Sequence, residues 1–143
     1  MLALSRAAYD AVIDHARTGA PEEVCGVLGG DHGDGESEVD SALRATNVAD
    51  SPRAAYELDP AEQLDLMRTV EDAGREVVGF YHSHPAGPPT PSETDREQAT
   101  WVGYVYVIVS LDGEYPYVGA WRWTGAAFER EAVAVSGGGD ASR

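Results

Sequence analysis

Five apolar residues running straight into a histidine pair constrain this chain more than any other stretch. Val77-Val78-Gly79-Phe80-Tyr81 leads into His82-Ser83-His84-Pro85. The run is bounded by charge, which predicts a buried strand. Alternate residues of a strand face the same side. His82 and His84 therefore point together, and Ser83 points away. Pro88, Pro89 and Pro91 stiffen the connection that follows. Ser92-Glu93-Thr94-Asp95 then has the pattern of a helix start, with Ser92 as N-cap and Asp95 in the first turn. Such a loop can fold Asp95 back over both imidazoles. Two imidazoles and a carboxylate are three of the ligands a catalytic zinc takes, with the fourth position left to water. Gly79, just ahead of the aromatic pair, signals close approach of another backbone.

Each fragment alone has a plainer explanation. A histidine pair can be a polar strand edge, and Ser-x-x-Asp is an ordinary capping box. Their order around a Pro-rich connector is harder to explain as packing. Counting Pro85 to Pro91 as the spacer, the stretch reads H-x-H-x7-S-x-x-D. It resembles the signature of the JAMM (MPN+) metalloproteases. Glu22-Glu23-Val24-Cys25-Gly26 is similar to that family's E-x-C-G segment, with Glu23 in register and Glu22 one residue out. Ala54-Ala55-Tyr56-Glu57-Leu58-Asp59-Pro60 is similar to its strand leading into the second helix. The likeness runs from about residue 2 to residue 134.

The resemblance implies an α/β domain of the MPN, cytidine-deaminase-like kind, a mixed sheet sandwiched by helices. It implies a zinc-dependent isopeptidase that cleaves ubiquitin-like modifiers from lysines of their conjugates, as the small prokaryotic desampylases do. One zinc per chain would be held by His82, His84 and Asp95. Glu23 would be the general base, and Ser92 would donate to the developing oxyanion. The Asn47–Arg53 and Gly87–Pro89 loops are the expected grip on the modifier. Two alternatives stay open. One is a zinc peptidase or amidase trimming a sulfur-carrier protein or a small amide. The other is a non-catalytic scaffold, against which the presence of His82, His84, Ser92 and Asp95 argues.

Charge narrows the partners. Twenty-five acidic residues face ten basic ones, all arginine, for a net charge of −15. Such a field repels nucleic acid and anionic membranes. A lysine-free, acidic chain rich in Ala and Gly is expected in a high-salt cytoplasm, where screening quenches self-repulsion. The single Cys25 excludes an internal disulfide and a Cys-ligated zinc deaminase, and is expected to be buried and structural. No stretch reaches the roughly 18 apolar residues of a membrane span. The first residues lack the apolar core of a signal peptide, so a cytoplasmic enzyme is expected.

At 143 residues the chain suits one domain, placed at residues 1–135, with a flexible Gly-rich tail over 136–143. The apolar spacing predicts a first helix over Leu4 to Thr18, with Tyr9 and His15 as packing and surface residues. Strands are predicted over Val24–Gly30, Ser37–Thr46 and Arg53–Leu58. Asp59 and Pro60 open a second helix whose buried face is Leu64, Met67 and Val70. A short helix follows from Ser92 to about Ala99. Tyr104–Leu111 reads as a central strand buried on both faces, and Tyr115–Trp123 and Ala127–Val135 as an antiparallel set. His32 is expected in a solvated turn. Trp101, Trp121 and Trp123 are expected as core or rim packing.

Overall fold

Capping residues start both long helices where the sequence places them. In a computed structural model, which describes residues 1–136, Ser5 caps α1 (Arg6–Gly19), its Oγ accepting the Ala8 amide at 3.0 Å. Asp59 caps α2 (Pro60–Asp72) by accepting the Glu62 amide at 3.1 Å, with Pro60 in the first turn. A third, short helix α3 spans Glu93–Gln98. The strands are β1 (Leu2–Ser5), β2 (Cys25–Asp31), β3 (Ser37–Ala45), β4 (Glu76–His84), β5 (Val105–Ser110), β6 (Tyr117–Trp123), β7 (Phe128–Glu131) and β8 (Val133–Ser136).

They form one mixed sheet in the order β7-β6-β5-β4-β2-β3-β1-β8. β7 and β8 are separated in sequence by Ala132 alone, yet they lie at opposite ends of that order. The sheet must therefore curl until its ends approach. Contacts across the closure agree: the Met1 ammonium lies 3.2 Å from Glu131 of β7, and Leu2 of β1 donates to Ala132 at 2.8 Å. Inside the curl, Ala8, Val12, Ile13 and Ala16 of α1 pack on Leu2, Leu4, Leu28, Val78, Tyr81 and Val107. Burying Val12 and Ile13 contributes roughly 1.5–3 kcal/mol each. On the other face α2 packs Val70, with half-buried Leu66 and Met67, on Val27, Val77, Phe80 and Tyr106. This is the expected mixed sheet between helices.

β4 sits between β2 and β5, buried from Val77 to His84. Its pairing with β2 skips Val78, so Val77 and Phe80 face α2 while Val78 and Tyr81 face α1. Beyond the bulge the alternation is regular. His82 and His84 continue the Phe80 face, and Ser83 continues the Tyr81 face.

Five expectations need correction. Arg53–Leu58 forms no strand. Its backbone groups bond to the Asn47 side chain and to turns at Ser51, leaving a single bridge between Asn47 and Leu58. The first helix, expected from Leu4, starts at Arg6, because Leu2–Ser5 is a strand with partners β3 and β8, distant in sequence. Ala127–Val135 breaks into β7 and β8, which serve opposite ends of the sheet. On α2 the face toward the sheet carries Leu66, while Leu64 is 49% exposed. Ser136, placed in the tail, belongs to β8 and donates to the Leu4 carbonyl at 3.2 Å. The rest of the expected tail, 137–143, lies outside the described residues.

Gly79 meets the expectation of close backbone approach, since a Cβ there would strike the Val105 carbonyl across the β4–β5 ladder. Gly79→Ala should therefore cost about 3 kcal/mol or more, read as a lower urea midpoint at unchanged slope. An unchanged midpoint would show that the two strands can part without cost.

Candidate metal and catalytic centre

The C-terminal end of β4 presents both imidazoles, and the start of α3 meets them. Ser92 Oγ accepts the Asp95 amide at 3.0 Å, and Asp95 Oδ2 accepts the Ser92 amide at 2.9 Å. This reciprocal capping box fixes the Asp95 carboxylate. The same Oδ2 lies 3.1 Å from His82 Nε2 and 3.1 Å from His84 Nε2, and the two nitrogens are 3.2 Å apart. All three side chains are buried.

With both imidazoles neutral, hydrogen bonding does not account for this triangle. His84 Nδ1 lies 2.7 Å from the Pro88 carbonyl, which can only accept, so Nδ1 carries the proton. Neutral His84 then turns its Nε2 lone pair on the Asp95 carboxylate. That contact is repulsive unless a cation lies between them. Ligand atoms about 2.0–2.1 Å from a tetrahedral zinc stand about 3.3–3.4 Å apart, close to the spacing seen here. The donor set fits zinc. Without a metal, a proton on His84 Nε2 is the alternative cation at this point. Burial of His84 opposes its charge, yet Asp95 and the Pro88 carbonyl raise its pKa on balance. Burial keeps His82 neutral. Burial opposes ionisation of Asp95 too, but both imidazoles and the Ser92 amide hold it well below the usual carboxylate range.

Glu23 stands directly before β2, where Cys25 pairs with His82. Ser83 fastens this point to the histidine strand. Its Oγ accepts the Val24 amide at 2.8 Å, and its own amide donates to the Val24 carbonyl at 3.0 Å. Glu23 is buried, its Oε1 has no hydrogen-bond partner among the described residues, and its carboxylate lies within 4.8 Å of ligand nitrogens of His82 and His84. Burial pushes its pKa up to about 7; His84 opposes this and Asp95 adds to it. Such a carboxylate can take and give a proton near neutrality. Glu22 is exposed, outside the centre.

A cavity of about 330 Å³ opens here, lined by Glu23, Arg53, Ala54, His84, the Pro85–Pro88 segment and Ser92. The Asn47–Arg53 and Gly87–Pro89 loops both reach it, through Arg53 and through Gly87 and Pro88. A second cavity of about 470 Å³ lies beside it, with Tyr56, Phe80, Trp101 and Tyr106 in its walls. Although larger, it lacks the donor set. Tyr56 in the wall of the larger cavity stacks its ring on His82 at 4.2 Å and 20°. Sequence reasoning placed Tyr56 in a strand and gave it no role, because only the folded loop brings it to His82.

Other residues resolve as follows. Trp121 and Trp123 are buried, and half-buried Trp101 packs on Phe80. His15 is buried and bonds the Tyr81 hydroxyl at 2.7 Å, so it is packing and not surface. His32 is not a freely solvated turn residue: it is half-buried, with Nε2 3.0 Å from the Gly103 carbonyl and its ring against Tyr104. Cys25 is fully buried, as expected.

Residues 5–124 match a family model described as prokaryotic homologs of the JAB domain. The chain is 50% identical over 138 residues to a desampylase of Haloferax volcanii, covering 94% of this chain and 96% of that one. It is 43% identical over 101 residues to a CysO-cysteine peptidase of Mycobacterium tuberculosis, covering 71% of this chain and 67% of the relative. A JAB1/MPN domain protein of Archaeoglobus fulgidus superposes with a TM-score of 0.62 at 20% identity, covering 94% and 97% of the two chains. At that identity the likeness shows the fold alone.

Burial, with Glu62 and Glu23 nearby, pushes the Cys25 thiol up to about 12, so it carries almost no thiolate at neutral pH. Iodoacetamide at pH 8 should leave the native protein unmodified and fully active, and label one thiol in guanidinium. Rapid inactivation of the native protein would make Cys25 part of the centre.

Proposed function

The chain belongs to the family of prokaryotic homologues of the JAB domain and is a hydrolase; on that premise we propose that it is a one-zinc isopeptidase releasing ubiquitin-like modifier proteins from lysines of their conjugates. One observation carries the reading: His82, His84 and Asp95 converge at 3.1–3.2 Å beside the unpartnered carboxylate of Glu23. The substrate class rests on likeness to the desampylase over nearly the whole chain.

His82, His84 and Asp95 would hold the ion. Bound there, zinc supplies Lewis acidity that brings the pKa of water from about 15.7 toward about 7. Glu23 takes the proton of the attacking water and returns it to the leaving lysine amine. Ser92 Oγ accepts from the Asp95 amide, so its own O–H stays free to donate to the oxyanion at the cavity wall. The 330 Å³ cavity, walled by two loops, receives the chain around the scissile bond. A second reading, trimming of a carrier protein's C-terminus, is favoured by likeness to the CysO-cysteine peptidase. Two substrates separate them: an isopeptide-linked modifier–lysine conjugate and a carrier ending in a single extra amino acid.

Glu23→Gln should keep one zinc per chain and lower kcat by about 10² to 10⁴. His84→Ala should lose both metal and activity. Glu23 accepts a proton only when ionised, so kcat/KM should rise with pH through the region near its pKa of about 7. Full activity of metal-free protein in chelator, or a dead Glu22→Gln beside an active Glu23→Gln, would overturn the assignment.

The proposed setting is a high-salt cytoplasm. Among the described residues no helix is long and apolar enough to cross a membrane. Net charge of −15 is self-repelling at low salt, and the screening length shrinks from about 10 Å at 0.1 M to about 3 Å at 1 M. Tm should rise between about 0.1 and 2 M salt. A flat or falling Tm would show that the acidic surface serves a partner rather than an environment.

A further inference from the structure

We propose that Asn47 is a positioning residue for the reaction: its side-chain amide locks the backbone of Glu23 and the loop carrying Tyr56 into one unit. The inference rests on reading Glu23 as the base. Asn47 lies two residues beyond the end of β3 and lines neither the ligand triangle nor the smaller cavity. Its amide nitrogen donates to the Glu23 carbonyl at 2.9 Å and to the Ala55 carbonyl at 2.9 Å. Its amide oxygen accepts from Ala49 at 3.0 Å and from Glu57 at 3.0 Å. That uses both donors and both acceptor sites an asparagine has. Aspartate would set a carboxylate oxygen against two carbonyls. Serine and threonine lack the second donor.

The loop so held grips Glu23 from its other side. The Glu23 amide donates to the Pro52 carbonyl at 2.7 Å, and Val48 closes the loop base by donating to Glu57 at 3.0 Å. Asn47 also holds the residues on each side of Tyr56, whose ring lies on His82. One amide thus sets the spacing between the base and a metal-ligand ring. Oε1 of Glu23 has no partner among the described residues, so the carboxylate takes its position from its backbone. Misplacement of a catalytic group by about 1 Å can cost about 10²-fold in rate. The loss should fall on kcat while the metal is retained.

The test compares wild type, Asn47→Asp, Asn47→Ala and Val12→Ala, the last a destabilised control in the α1 core. Each is assayed on the modifier–lysine conjugate and for zinc content. Metal-free samples are followed by amide hydrogen exchange. We expect both Asn47 variants to keep one zinc, with kcat down at least tenfold. The Glu23, Ala49 and Glu57 amides should exchange at least tenfold faster together, while α1 amides keep wild-type rates. Val12→Ala should lower Tm yet leave kcat at wild type. Wild-type kcat in Asn47→Asp would overturn the proposal. So would Glu57 opening while Glu23 stays protected, or Val12→Ala reproducing the kcat loss at equal destabilisation. If Asn47→Asp does not fold, Asn47→Ala decides by the same criteria. If the wild type does not cleave the conjugate, the proposed function fails, and the exchange arm still decides whether Asn47 couples Glu23 to the loop.

Discussion

A single carboxylate oxygen, Asp95 Oδ2, faces two imidazole nitrogens at 3.1 Å and a backbone amide at 2.9 Å. Ionised, buried and facing two imidazole nitrogens, that oxygen calls for a cation, either a metal ion or the proton of an imidazolium. The surrounding elements exist to hold this demand in place. The α3 capping box orients Asp95, the Pro88 carbonyl holds the proton of His84 on Nδ1, and Tyr56 stacks on the His82 ring. Outer contacts of this kind orient the ligands and typically contribute about 10- to 100-fold in metal affinity.

β4 carries the two needs of the centre on its two faces. His82 and His84 reach the metal triangle on one side, while Ser83 on the other bonds Val24 and so draws Glu23 to the histidines. The strand can do this because it is interior, paired with β2 and β5 along its length. The curl of the sheet buries α1 behind Ser83 and leaves the histidine face to α2, α3 and the loops. Rigid elements therefore supply the ligands, and loops shape the access.

Much of the centre was legible in the chain. His82, His84, Ser92 and Asp95 lie within fourteen consecutive residues, and strand alternation plus a capping box suffice to bring them together. Glu23 needed the family resemblance, since nothing local distinguishes it from Glu22; the fold separates them by burial. Tyr56, Ser83 and Asn47 act through contacts to residues 24 or more positions away. Neither periodicity nor propensity registers such contacts. The loop holding Tyr56 was read as a strand because its residues are compatible with one, and the Asn47 amide claims the backbone groups a strand would need.

The sequence by itself determined the helices, the buried histidine strand and the ligand set, because each follows from forces acting over a few residues: capping, alternation and side-chain chemistry. It determined the acidic field as well, which is a sum over composition. Only the tertiary structure decided the curl of the sheet, the split of the last strand between opposite ends, and the neighbours that fix Glu23 and Tyr56. Those depend on which backbone groups remain unpaired once the sheet has formed, and buried donors and acceptors take whatever partner the assembled fold brings within reach.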